Sequence, residues 1–371
     1  MRLSFTAEHE QLRRAVRDFL AERSPAAAVR RLMDSTANRD DDVWTRLAEE
    51  LGLVGLGLPE RYGGSGFGEV EVGIVLEEMG RALFVAPYLS TAVLAGQTLA
   101  TSEDQEAQQR WLPGIAAGSL TATLAVAGES GSWELTDPAT SAEPRGGQWL
   151  VSGPKYYVLD GHSADLLLVV ARAADGTGVF AVEGADPGVV RARLDSLDPT
   201  RDLASVVLRE APAVRVGAGR DATAWLGEVH DRALAALASE QIGGAARCLE
   251  LAVDYAKVRE QFGRPIGSFQ AIKHKCAALL VEVESARSAV YHANAALAAD
   301  DPEGTVAAAV ASAYASRAFT LAAKECIQIH GGIGFTWEHD AHLFLRRAKS
   351  SELFFGAPRA QRERLADLVG I

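Results

Sequence analysis

The sequence predicts an α+β chain of several domains, with helices first, a short-stranded β domain in the middle and a helical bundle last. Three observations carry this. At 371 residues the chain has room for two or three domains, at roughly 150 residues each. Apolar residues recur at helical spacing in the first 119 positions, break into short β-rich runs to about 225, and return to helical spacing beyond. Charge divides at the second boundary: residues 1–225 carry 21 bases and 32 acids, whereas residues 226–371 carry 16 and 17. The expected domains are therefore 1–119, 120–225 and 226–371.

In the first domain, Thr6 is placed to cap a helix that puts Leu12, Val16, Phe19 and Leu20 on one face. Trp44, Leu47 and Leu51 mark a second helix, ending in the glycine-rich turn LGLVGLGLPERYGGSGFG (51–68). Residues 69–83 resume as helix, where Glu77 and Glu78 are spaced to pair with Arg81. Six strands are expected next: Thr121–Val126, Trp149–Val158, Leu166–Ala171, Val179–Val182, Val189–Leu194 and Ser205–Leu208. Gly146-Gly147, Asp175-Gly176 and Asp186-Pro187-Gly188 punctuate them, which suits a barrel or sandwich. In the last domain Leu234, Leu237, Gln241 and Ala245 lead into Leu249, Val253 and Ala256. Phe269, Ile272, Cys276, Leu279, Val283, Ala286 and Val290 mark a second helix. A third runs from about Thr305 to His330 and stops at Gly331-Gly332. Long Ala-rich helices of this kind suit a bundle that also packs against other subunits.

Composition excludes several function classes. A net charge of −12 makes a poor polyanion binder, so nucleic acid is not the expected ligand. Cys248, Cys276 and Cys326 are odd in number and far apart, which excludes a disulfide framework and leaves buried reduced thiols as the expectation. The amphipathic, acid-bearing N-terminus is not a signal peptide, and no uninterrupted apolar run approaches the ~20 residues of a membrane span. A soluble, cytoplasmic protein without membrane contact is expected. His330, His339 and His342 with Glu338 and Asp340 are candidate metal ligands by type, but no metal is expected. GESGS fails the spacing of a nucleophile elbow at Ser132, and LPERYGGSGFG lacks the strand–GxGxxG–helix context of a dinucleotide fold.

Two segments carry the chemistry: YAKVREQFGRPIGSFQAIKH (255–274) and CIQIHGGIGFTWEHDAHLFLRRA (326–348). Arg259 offers a planar cationic fork suited to phosphate oxygens. Phe262 gives an apolar wall, Gly263 a sharp turn, Gln328 amide hydrogen bonds, and Gly331-Gly332 room for close backbone approach. With LPERYGGSGFG, these segments resemble the acyl-CoA dehydrogenase family in order and spacing over nearly the whole chain.

The resemblance implies an N-terminal helical domain, a central β-barrel and a C-terminal four-helix bundle. It implies FAD as cofactor, an acyl-CoA substrate, a homo- or hetero-tetramer and electron-transferring flavoprotein as acceptor. It places Arg259 and Phe262 against FAD held by a neighbouring subunit, and Gln328 and Gly332 against its pyrophosphate and adenosine half. Tyr157 stands where the family sets an aromatic against the flavin.

Other family features are altered. The TEPxxGSD-like loop reads VAGESGSWELTDP (126–138), with Ala127 or Gly128 in place of a hydroxyl and Glu129, Ser130 and Ser132 as polar remnants. Leu159 stands where a Thr would donate to the flavin edge. The family's base is a Glu that takes the α-proton while hydride leaves the β-carbon. Its two usual positions hold Phe355, followed by Ala357 in place of Thr, and Ala233. Glu240 and Glu352 are the nearest substitutes, and no catalytic residue is assigned. The pattern implies a subunit that completes the FAD site of a partner chain, as in actinobacterial α2β2 members acting on steroid side-chain CoA thioesters. A self-sufficient homotetramer with an unusual base and a non-catalytic acyl-CoA-binding scaffold are the alternatives.

Overall fold

The computed structural model describes residues 5–35, 37, 39–131, 133, 135, 139–217 and 221–371. It divides into two compact units. The bundle unit comprises Met1–Met33, Glu69–Phe84 and Leu234–Ile371, and the barrel unit comprises Asp34–Gly68 and Val85–Ala233. These units cut the chain differently from its thirds in sequence order, because the first helices are shared between them.

The helices of the first third are α1 (Ala7–Arg23), α2 (Ala26–Met33), α3 (Asp41–Glu49), α4 (Glu69–Arg81), a π-helical turn (Leu89–Ala95) running into α5 (Gly96–Thr101), and α6 (Gln105–Ala116). Thr6 caps α1 in a reciprocal box: its hydroxyl accepts from the His9 amide, and its own amide donates to His9 Nδ1. The expected local pairing on α4 does not form. Glu77 and Glu78 are buried and face other helices, so their partners are tertiary. Arg13 reaches both (2.8 and 3.2 Å), Arg17 grips Glu78, and Arg81 turns instead to Glu250.

The barrel unit holds β1 (Ala122–Ala125), β2 (Ser141–Arg145), β3 (Gln148–Leu159), β4 (Leu166–Ala173), β5 (Gly176–Glu183), β6 (Val189–Arg193) and β7 (Leu203–Val216). The pairings β4–β5, β5–β7, β7–β3, β3–β2 and β2–β4 form a closed circuit, to which β1 adds in parallel beside β4 and β6 in antiparallel beside β7. Closure pairs both sides of the circuit's strands, while β1 and β6 each pair on one side. Inside sit Val151, Leu167, Val169, Phe180, Val206 and Leu208. The six expected strands are present. The strand that closes the circuit, β2, reads Ser-Ala-Glu-Pro-Arg and carries no β-rich signal.

The last third contains α7 (Thr223–Val258), a short hairpin of β8 (Glu260–Gln261) and β9 (Arg264–Pro265), α8 (Gln270–Ala298), α9 (Gly304–His330), α10 (Ala341–Ser351) and α11 (Pro358–Val369). From Leu234 onward these belong to the bundle unit. Its core is built largely of alanine, including Ala235, Ala238, Ala293, Ala311, Ala315 and Ala318 with Ile242 and Val290. Helices meet closely through small residues: a Cβ on Gly243 would lie 1.8 Å from Glu77 O, and one on Gly80 would lie 1.9 Å from Glu240 O. The stretch Gly304–Phe335 is long and apolar enough for a membrane span by composition, although Arg317, Lys324 and Glu325 interrupt it. Over half of its most apolar window is buried inside the protein, so the bundle core accounts for it.

On α8 the C-terminal half of the expected apolar face is buried. Cys276 is only partly so, and Leu280 and Val281 are exposed. The thiols are therefore not equivalent, since Cys248 and Cys326 are fully buried.

Candidate functional site

On the bundle unit, the ends of α7 and α9 are joined by ring stacking. Tyr255 stacks on His330 at 4.3 Å between centroids, and His330 lies 4.2 Å from the His339 ring. One turn beyond Tyr255 comes Arg259, and Gln328 and Gly332 flank His330 by two residues each. The structure thus sets Arg259, Gln328 and Gly332 within four residues along the chain from one ring stack. Arg259 and Gln328 are exposed, and Arg259 makes no ion pair among the described residues. A Cβ at Gly263, Gly331 or Gly332 would meet nothing within 4 Å.

The β8–β9 hairpin turns at Phe262-Gly263 with φ of 54° and 73°, both positive as in a type I′ turn. A bulky residue at positive φ is strained, and such strain gathers at functional positions. Phe262 is 92% exposed, its ring edge-on to Phe269 at 6.1 Å. An uncommitted guanidinium, an open diglycine and an outward aromatic are chemically suited to phosphate oxygens and a flat ring.

On the barrel unit, Tyr157 is likewise exposed and held at φ 53°, at an irregularity of β3. The loop that follows β1 folds against it: a Cβ on Gly131 would touch the Tyr157 ring at 3.4 Å. β3 also pins the start of that loop, through Tyr156 N to Ala127 O at 3.0 Å and Lys155 Nζ to Val126 O at 2.8 Å. Lys155 is 1% exposed, and burial pulls its pKa down to about 7. The sequence reading missed it. A lysine inside an otherwise apolar barrel strand was the available signal. Ala127 and Leu159 are buried, Glu129 and Ser130 are exposed, and Ser132 lies outside the described residues. At this loop the barrel unit presents the exposed ring of Tyr157 and the exposed Glu129 and Ser130.

The two positions where the resemblance sets a base are closed. Phe355 is 3% exposed with φ 58°, its carbonyl accepting from Gln361 Nε2 at 2.7 Å. Ala233 is fully buried. Glu240 is buried and bound to Arg347 Nη1 at 2.6 Å, which commits its charge to a structural pair. Glu352 pairs with Lys349 on the next turn. Among the described residues no three His, Cys, Asp or Glu side chains converge as a metal site. His330 and His339 are engaged in ring stacking, and His342 packs edge-on to Trp337.

A chain of helices, a closed barrel and a helical bundle in this order belongs to a recognisable class. Residues 6–119 match the acyl-CoA dehydrogenase N-terminal domain and residues 229–370 match the acyl-CoA dehydrogenase C-terminal domain. The chain belongs to the acyl-CoA dehydrogenase family, whose members are FAD-dependent oxidoreductases.

Among its relatives, the acyl-CoA dehydrogenase IpdE2 of Mycobacterium tuberculosis is 37% identical over 98% of this chain and 97% of that protein. The acyl-CoA dehydrogenase FadE34 of the same organism is 37% identical over 95% of this chain but only 46% of its own length. Among solved structures, the ChsE4-ChsE5 complex from Mycobacterium tuberculosis aligns at 28% identity and TM-score 0.89, over 100% of this chain and 99% of the other. The Tcur3481-Tcur3483 steroid ACAD aligns at 31% and 0.88, over 98% of each.

Proposed function

We propose that this chain is one subunit of a two-chain acyl-CoA dehydrogenase and completes the FAD site of a catalytic partner. The observation that carries the reading is an asymmetry. The base position is filled by the buried ring of Phe355, whereas Arg259, Phe262, Gln328 and Gly332 stand open on the bundle unit. Arg259 binds the diphosphate of the partner's FAD and Phe262 covers its adenine, while Gln328 and the Gly332 backbone close the same half. FAD, when bound, accepts hydride from the β-carbon of the acyl thioester. This chain's residues hold the cofactor in place, and the partner supplies the carboxylate for the α-proton.

The likeness to the ChsE4-ChsE5 complex and to the Tcur3481-Tcur3483 steroid ACAD supports a steroid-derived acyl-CoA as substrate, in a heterotetramer. Electron-transferring flavoprotein is the acceptor in this reading, and the cytoplasm the compartment. The sequence domains 1–119, 120–225 and 226–371 are its working divisions, with 226–371 carrying the contribution to the partner.

A second reading, a self-sufficient FAD homotetramer, is favoured by one observation: Tyr157 remains exposed and strained beside its loop. Purification alone and after co-expression with the adjacent gene product separates the two. Flavin absorbance per chain is expected to be low alone and near one FAD per pair together, and to fall on Arg259→Ala in the pair. Full flavin occupancy in the chain purified alone, with turnover lost on Glu352→Gln, overturns the subunit reading.

A further inference from the structure

The bundle unit contains a cavity of about 370 Å3 beside the C-terminal ends of α1 and α4. That volume lies within the range of small-molecule sites, roughly 300–1,000 Å3. Its floor is apolar: Leu20, Val29, Leu83, Leu343 and Phe344 line it, and all are buried. Such a floor offers water few partners. Three guanidiniums line the cavity as well, Arg17 from α1, Arg81 from α4 and Arg247 from α7.

Glu78 and Asp340 line it too, with Glu250 close by, but all three carboxylates are already committed. Glu78 takes two bonds from Arg17 and one from Arg13. Glu250 takes two from Arg81 and one from Arg247, and burial, which alone would raise its pKa, is outweighed by these two arginines. Asp340 is gripped by Arg30 through Nε and Nη2. Arg17 Nη1 and the Nε and Nη2 of Arg247 keep no hydrogen-bond partner among the described residues. Arg17, Arg30, Arg81 and Arg247 outnumber Glu78, Glu250 and Asp340 by one, while Arg13 is balanced by Glu77. This positive excess sits on a chain of net charge −12.

Spare planar donors beside an apolar floor suit an oxyanion head on a hydrocarbon body, and carboxylate is the oxyanion these arginines already grip in Glu78 and Glu250. We propose that this cavity binds an amphipathic carboxylate, its tail seated on Leu20, Leu343 and Phe344 and its head held by Arg247 and Arg17. The site goes beyond the subunit function above and needs neither flavin nor partner. A thioester carbonyl is uncharged, so the head held here is a free carboxylate.

Isothermal titration of sodium decanoate into the 371-residue chain tests this. 1-Decanol serves as a tail-matched neutral probe and inorganic phosphate as a head-only probe. Decanoate is expected to bind at one saturable site, with both controls and the Arg247→Gln variant weaker by about tenfold or more. Ala21 lines the cavity from the exposed side of α1, so Ala21→Trp should fold, as circular dichroism will report, and abolish binding by filling the space. The proposal is overturned if decanoate shows no saturable binding. It is also overturned if decanol binds as tightly as decanoate, or if Ala21→Trp retains full affinity.

Discussion

Replacing Lys155 by Met tests how dry the barrel interior is. The amine has one acceptor among the described residues, Val126 O, and burial drops its pKa from 10.5 to about 7. In the unfolded chain it returns to the ordinary value near 10.4. Between those values the unfolded state holds the proton and the native state does not, so stability rises with pH. Below about 7 both states are protonated and the full cost of a buried ammonium stands. A drop from 10.5 to about 7 is worth at most roughly 5 kcal/mol at 1.36 kcal/mol per pH unit.

Wild type should therefore gain roughly 3–4 kcal/mol over Lys155→Met between pH 7 and pH 10. The variant also leaves the Val126 carbonyl without its donor, a pH-independent loss of roughly 1–3 kcal/mol. Urea denaturation of both proteins at pH 7, 8, 9 and 10 reads the difference, in which the titration of every other group cancels. A difference that stays flat with pH would mean a hydrated, ordinary ammonium and would refute the reasoning.

Other outcomes follow from the same geometry. Gly243→Ala sets a Cβ against backbone rather than a movable side chain, so thermal unfolding should show a loss of roughly 1–3 kcal/mol or more. Glu240→Gln keeps the shape of the Arg347 contact but removes its charge. Stability should fall by roughly 1–3 kcal/mol in chemical denaturation, while turnover of the assembled enzyme per folded molecule persists. Loss of turnover without loss of stability would instead make Glu240 a base. Phe262→Gly relieves the strained φ and costs chain entropy, so stability should move by less than about 1 kcal/mol while flavin content of the paired complex drops.

Much of this was legible in the sequence because periodicity and glycine placement report local geometry directly. Thr6, the α9 stop at Gly331-Gly332 and the six β-rich runs all lie where spacing set them. The misses have physical causes. β2 is polar and contains Pro144, so only closure of the barrel reveals it. Glu77, Glu78 and Arg81 satisfied a helical spacing rule, but burial gave them partners on other helices. Glu240 was offered as a distant substitute base, and sequence alone held no sign that Arg347, more than a hundred residues on, would claim it. The strain at Tyr157, Phe262 and Phe355 was equally hidden, since nothing in an aromatic residue's identity announces positive φ.

The alanine core of the bundle has a consequence for how this protein can change over time. Alanine freezes no rotamers when it is buried, so the helices reach close contact with almost no side-chain ordering. The same economy leaves nothing to rearrange: there are few long side chains that could swing aside for an added methyl group. Evolutionary drift in the bundle interior should therefore be slow. Novelty should accumulate instead at the helix tips and hairpin, which such a stiff frame can present to different partners without shifting underneath.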